Sequence, residues 1–182
     1  MKESVNKLES LVPWARSMAK MRARACTISA QLGLSPAVAK RIWREENGKS
    51  SPSGLQPSHV DWYLKTPERR YQSALLIALD QMALLKYPAA IAFTHAYYHF
   101  SRITAWEWAD RGEGDPAFRT AESDYTIPYS RGFNLVKLYH DELYEDKSRK
   151  CDLVLRACRS CRGKYLSHKD EAGGKCPLCI GN

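Results

Sequence analysis

The segment Cys158-Arg-Ser-Cys161, fourteen residues, then Cys176-Pro-Leu-Cys179 constrains this chain more than any other part of it. Two CxxC pairs at this separation match the spacing of four-cysteine metal sites. Two intervening residues let a tight turn aim both thiolates at one cation, and the linker lets two such turns meet and close a tetrahedron. Gly163 after the first pair and Gly173-Gly174 before the second are expected to supply permissive backbone for those turns. The neighbouring Arg159, Arg162, Lys164 and Lys175 lower the cost of gathering four thiolates on one Zn²⁺. Four sulfur ligands leave no open coordination position, so the site is expected to be structural, with one zinc per chain. Disulfides or free thiols are the alternative that the doubled spacing and a reducing compartment oppose. An iron–sulfur cluster uses the same ligands, and spacing alone does not separate it from zinc. His168 lies in the linker and reads as a surface residue, because four thiols already close the shell. Cys26 fits a buried helix position, and Cys151 has no assigned role.

A chain of 182 residues that is 44% hydrophobic and 26% charged can bury a sizeable core. No stretch approaches eighteen consecutive apolar residues, so no transmembrane helix is expected. The start, Met-Lys-Glu-Ser-Val, lacks the apolar core of a secretory signal, which points to a cytoplasmic location. The net charge of +8 is unevenly spread. Residues 1–48 hold nine Lys/Arg against four Asp/Glu, residues 49–146 ten against thirteen, and residues 147–182 nine against three. Both ends are basic, which is the electrostatic footprint of polyanion binding, although solubility alone accounts for many basic proteins.

Apolar spacing predicts a mainly helical protein. Residues 4–24 read as a helix in which Pro13 either kinks the chain or begins the true helix. Residues 25–46 read as two short helices around Gly33-Leu34-Ser35, and the Gly/Ser/Pro-rich stretch 48–57 as a loop. Residues 67–87 and 89–110 form two helices that are apolar almost all round, which suggests burial in the core or against a partner. Residues 112–130 read as a loop and 133–146 as a further helix, and Asp152 to Leu155 as a short strand leading into the cysteines. Three regions follow: N-terminal helices over 1–48, a central helical region over 49–146 suited to partner binding, and a basic four-cysteine knuckle over 147–182.

The segment Ala25 to Glu46 has the pattern of a helix-turn-helix. Ile28, Leu32, Leu34, Val38 and Ile42 supply the contacts of a two-helix corner, and Gly33 sits where the turn needs positive φ. Ser35 is a good N-cap and Pro36 suits the first turn of the second helix. The remaining face of that helix offers Lys40, Arg41 and Arg44, residue types that contact phosphates and guanine edges. An ordinary helical hairpin with a solvated basic face gives the same pattern. His95 and His99 stand four apart, but with no carboxylate placed as in HExxH they read as packing residues. Tyr97, Tyr98, Trp106 and Trp108 read as core or interface. No P-loop, GxGxxG, GxSxG or paired acids in a catalytic context occur, so the chain does not read as an enzyme.

Three patches in order resemble FlhC, a subunit of the bacterial FlhD–FlhC transcriptional activator. LSPAVAKRIWREENG is similar to that family's helix-turn-helix segment, SPSGLQPSHVDWY to its loop followed by Asp-Trp-aromatic (Asp61, Trp62 and Tyr63), and CRSCRGKYLSH with CPLC to its zinc-binding segment. The chain stops three residues after Cys179, where flagellar FlhC typically continues in a basic tail. In this it looks as much like the divergent FlhC-like activators of conjugative transfer genes. The resemblance implies a subunit that binds double-stranded promoter DNA together with an FlhD-like partner, in a hetero-oligomer, and recruits RNA polymerase. Charge and placement make Lys40, Arg41, Arg44, Arg159, Arg162 and Lys164 the candidate DNA contacts. The rival from another class is a zinc-stabilised adaptor that binds only protein.

Overall fold

The computed structural model describes residues 2–54, 59–109, 126–144 and 152–180, with side chains at 10–54, 59–104, 126–140, 152–177, 179 and 180. The described elements are α1 (Lys2–Lys20), α2 (Ala25–Leu32), α3 (Pro36–Asn47), α4 (Asp61–Leu64), α5 (Pro67–Leu84), α6 (Ala89–Ala109), α7 (Tyr129–Tyr144), β1 (Leu153–Ala157), β2 (Lys164–His168) and α8 (Pro177–Ile180). The fold is mainly helical and carries its four cysteines at the C-terminal end.

Local chemistry explains where the helices start and stop. Gly33 closes α2 at φ +66°, a left-handed conformation that a β-carbon would strain. The Ser35 hydroxyl then accepts from the Val38 amide, and Pro36 occupies the first turn of α3. Thr66 caps α5 in the same way, accepting from the Arg69 amide ahead of Pro67. Of the two readings of Pro13, the one that begins the helix there is not borne out. Helix α1 starts at Lys2 and passes through Pro13, whose ring lies exposed. The backbone bond lost there is outweighed by packing, since Ala15, Met18 and Ala19 on the following turns are fully buried.

One hydrophobic core joins most of these elements. It takes Met18 from α1, Ile28 from α2, Ile42 and Trp43 from α3, Leu76 and Ile77 from α5, Phe100 from α6, and Leu135 from α7. Leu153 of β1 and Leu166 of β2 enter the same core, so the hairpin is packed onto the helices. A buried polar set fixes the centre. The Thr94 and Tyr129 hydroxyls lie 2.8 Å apart, and Gln31 donates to Thr94 at 3.0 Å and accepts from Tyr129 at 3.1 Å. The Tyr97 hydroxyl donates to the Ile127 carbonyl, whose own amide donates to Gln72.

Several expectations change. Cys26 is exposed rather than buried, because α2 turns Ala25, Thr27, Ile28 and Leu32 inward. Helix α7 begins at Tyr129, inside the stretch expected to be loop. Helix α5 is not apolar all round: it buries Arg69, Gln72 and Asp80, while Met82, and Leu85 just past its end, face outward. Tyr97 is core and Tyr98 is exposed. Cys151, the side chains of Trp106 and Trp108, and most of the expected 112–130 loop lie outside the described residues.

Candidate metal centre and basic helix face

β1 and β2 pair antiparallel, from Leu153 opposite His168 to Ala157 opposite Lys164, and the turn between them carries the first CxxC. The Cys158 amide donates to the Gly163 carbonyl at 2.9 Å and the Arg162 amide to the Cys158 carbonyl at 3.0 Å, closing a knuckle. The second CxxC enters the short helix α8. The Arg159 amide donates to the Gly174 carbonyl at 3.1 Å, which ties the two turns together. Cys158, Cys161, Cys176 and Cys179 thereby gather with all four sulfurs within 4.8 Å of one another. The Cys161 and Cys176 sulfurs are 3.8 Å apart. A tetrahedron with metal–sulfur bonds of about 2.3 Å has edges of roughly 3.8 Å, so the donor set fits a four-thiolate ion.

Backbone donors favour a thiolate at Cys158. Amides of Ser160, Cys161 and Cys176 all donate toward the Cys158 sulfur, the last at 3.1 Å. These donors, the Cys161 amide foremost, hold the Cys158 thiol below its ordinary range. The Cys179 thiol is pushed up, chiefly by its contact with Cys176 and Cys161. Four sulfurs this close cannot all ionise without a cation among them. Arg159, Arg162, Lys164 and Lys175 are exposed around the cluster.

The glycines work differently from expectation. The left-handed residue of the knuckle is Arg162, at φ +63°, not a glycine. Space at Gly163 is tight, since a β-carbon there would lie 3.3 Å from the Cys161 sulfur. His168 is half-buried at the end of β2, within 3.4 Å of Asp170 and 3.8 Å of Asp152, and stands apart from the thiol cluster. Among the described residues the four cysteines form the one group of three or more metal-ligating side chains close enough to share an ion. His95 stacks on Tyr87 at 4.3 Å, with the His99 ring 5.0 Å away. That pair fits a packing role better than a metal site.

The helix-turn-helix candidate is present as a capped two-helix corner braced by α1. Ala39, Ile42 and Trp43 face inward, whereas Lys40, Arg41 and Arg44 are all exposed. Arg16 of α1 binds Glu45 at 2.7 Å and also pairs with Glu46. The Asn47 amide group donates to the Ala19 and Trp43 carbonyls. The acids of α3 are thus drawn toward α1, although Arg41 stays 3.8 Å from Glu45. Arg159, Arg162 and Lys164 are carried by the hairpin, which packs on α5 and α4, while α3 packs on α1 and α2.

Sequence patterns missed three arrangements. Trp62 has the Arg69 and Arg131 guanidiniums 4.1 and 4.2 Å from its ring centre. The fully buried Tyr63 donates its hydroxyl to the Arg131 carbonyl, so the Asp-Trp-Tyr motif clamps the start of α7. Asp80 and His140 pair across α5 and α7, and Arg70 pairs with Glu171. All three join distant parts of the chain, so no local spacing announces them.

The fold and site define a helical protein with a basic two-helix corner and a four-cysteine knuckle whose sulfurs are placed to share an ion. No family model matches the chain. It is 24% identical over 168 residues to the flagellar transcriptional regulator FlhC of Cupriavidus necator, covering 91% of this chain and 72% of that protein. It is 25% identical over 159 residues to FlhC of Cupriavidus pinatubonensis, covering 86% and 65%, and 21% identical over 172 residues to FlhC of Variovorax paradoxus, covering 92% and 73%. The chain is FlhC-like over most of its length, and it spans roughly two thirds to three quarters of these relatives. No helix among the described residues is long and apolar enough to cross a membrane.

Proposed function

We propose that this chain is the DNA-binding subunit of a transcriptional activator, with a structural zinc held by Cys158, Cys161, Cys176 and Cys179. The observation that carries the reading is the exposed row Lys40, Arg41 and Arg44 on the second helix of a capped, braced corner. Such a helix can enter the major groove with its cations toward phosphates and guanine edges. Arg159, Arg162 and Lys164 form a second cationic patch on the metal knuckle. Two separate patches gain affinity when an oligomer presents several weak contacts together. Similarity to named transcriptional regulators along about nine tenths of the chain supports the role. On this reading the chain acts in the cytoplasm with an FlhD-like partner and RNA polymerase, at flagellar or conjugative-transfer promoters. The zinc supplies folding free energy and no chemistry, because four thiolates close its shell.

The test is a titration of promoter DNA with the co-expressed complex at several fixed salt concentrations. Arg41→Ala and Arg44→Ala should weaken binding while the fold is kept. A phosphate contact lowers the salt slope by about 1, and a base contact relaxes preference at one position at a cost of about 1–3 kcal/mol. Wild-type binding by both variants would remove the recognition helix from the proposal. The adaptor reading keeps one supporting observation, the outward apolar residues of α5, and predicts no salt-dependent DNA shift at all.

A further inference from the structure

Helix α1 closes on two hydrogen bonds, from the Ala23 amide to the Met18 carbonyl at 2.9 Å and from the Arg22 amide to the Ala19 carbonyl at 3.0 Å. This closure puts the residue after the last turn in the left-handed region, where glycine is the ordinary occupant. Helices α2 and α3 do close on glycines, Gly33 at φ +66° and Gly48 at φ +68°. Helix α1 closes on Arg22, at φ +63°. A β-carbon is strained in that conformation, so the backbone there would settle more easily with glycine. Among the described residues one other non-glycine residue has a positive φ, Arg162 of the cysteine knuckle. Both are exposed arginines. Strain kept beneath an exposed cation directs attention to what the cation does.

The Arg22 guanidinium donates to the side-chain oxygen of Asn47. That oxygen is fixed in place, because the Asn47 amide group is itself held by the Ala19 and Trp43 carbonyls. Lys40, Arg44 and Asn47 follow one another in steps of four and three, so they lie along one side of α3. Arg22 therefore continues the row of Lys40 and Arg44 by one turn. Its partner is a neutral amide, which leaves the charge uncompensated. The cations before it on α1 differ, since Arg16 pairs with Glu45 and Glu46, and Lys20 lies 3.9 Å from Glu46. Among the described residues no carboxylate pairs with Arg22. We propose that Arg22 is a DNA-backbone contact, its guanidinium held by Asn47 toward a phosphate beside the groove that α3 enters. The inference rests on the DNA-binding reading above and adds a residue outside the helix-turn-helix pattern, since Arg22 precedes α2. A guanidinium on a phosphate reads no sequence, so Arg22 should raise affinity for all duplexes alike.

The experiment titrates the purified, reduced full chain against a fluorescein-labelled duplex of mixed sequence, by anisotropy, over a series of KCl concentrations. Backbone contacts need no operator, so this probe suffices. Thermal melts of the same samples are read alongside. Arg22→Gly should bind about five- to tenfold more weakly near about 0.1 M salt, with a salt slope lower by about 1. It should also melt about 2–4 °C above wild type, because the strain leaves with the side chain. Arg22→Lys keeps both the charge and the strain, so it should keep the wild-type slope and melting temperature. An unchanged slope in Arg22→Gly would overturn the proposal at any melting temperature. So would a lower melting temperature in Arg22→Gly, since weaker binding would then follow from a disturbed corner. A slope that falls equally in Arg22→Lys would overturn it too. Arg44→Ala in the same series separates this residue from the wider reading. A lowered slope there, with none in Arg22→Gly, removes Arg22 alone, whereas a wild-type chain that binds no duplex removes both.

Discussion

Arg70 reaches from α5 to Glu171 beyond the β-hairpin, and its two guanidinium nitrogens meet the two carboxylate oxygens at 2.6 and 2.8 Å. The Ser167 hydroxyl donates to the same carboxylate at 2.7 Å. This fork fastens the cysteine knuckle to the helical body beside the Leu166 contact. Arg70, first among the causes, holds the Glu171 carboxyl at about 2, well below its ordinary 4.5. A depressed carboxylate stabilises the fold above its unfolded value, and that contribution fades as pH falls from about 4.5 to about 2. Glu171 is 40% exposed, so solvent limits the effect to about 1 kcal/mol. Thermal melts should therefore find Glu171→Gln less stable than wild type at pH 7 and at pH 5, with the gap closing only below pH 4.5. A gap that closes near pH 6 would assign the effect to another group.

One zinc per chain is expected in metal analysis of the purified protein. Cys176→Ser should release it, because Cys176 is one of the four clustered sulfurs and its amide also donates to Cys158. Structural zinc contributes folding free energy directly, so a chelator should raise hydrogen exchange over 153–180. Amides of α5 should stay protected, since Leu76 and Ile77 are buried among the helices. Full zinc occupancy in a Cys158→Ser, Cys176→Ser double variant would sink the assignment.

The four-cysteine cluster was legible because its signal is local. Two CxxC turns need no knowledge of the rest of the chain, and neither does the Gly33, Ser35, Pro36 punctuation of the corner. Strand β1 was legible from its apolar run. Strand β2 was not, because Lys164-Tyr-Leu-Ser-His lies inside the cysteine linker and is defined by its pairing with β1. Pro13 does not begin the helix for a similar reason, since tertiary burial of Met18 and Ala19 outweighs a local helix penalty. Apolar spacing found α5 as a helix but not which of its polar residues turn inward, because the partners of Arg69 and Asp80, Trp62 and His140, lie in other elements.

Gly132 marks a close approach of α7 to α5 and α6. A β-carbon there would lie 2.6 Å from a terminal methyl of Leu76 and 3.2 Å from the Phe93 ring. Leu76 is fully buried and Phe93 nearly so, so neither has free space to retreat into. Gly132→Leu should destabilise by about 1–3 kcal/mol, despite leucine's better helix propensity. Denaturant melts would check this, and a variant as stable as wild type would show that α7 shifts freely.

Asp80 is 2% exposed, and its carboxylate oxygen lies 2.7 Å from Nε2 of the half-buried His140. Burial raises the Asp80 pKa, while the hydrogen bond and charge of His140 pull it back down. The pair therefore spans α5 and α7 with the acid dependent on its base. Removing His140 alone leaves a buried carboxyl without that partner, which must either protonate at a cost or stay charged in an apolar setting. His140→Ala should then cost about 3 kcal/mol, near the low end for a broken buried pair because His140 is partly exposed. Replacing both groups removes the charge as well as its partner, so His140→Ala with Asp80→Leu should recover most of that loss. Equilibrium unfolding of the two single variants and the double gives the coupling directly. If the losses simply add, the pair contributes nothing beyond its separate packing, and the link between α5 and α7 rests on Gly132 and the aromatic core instead.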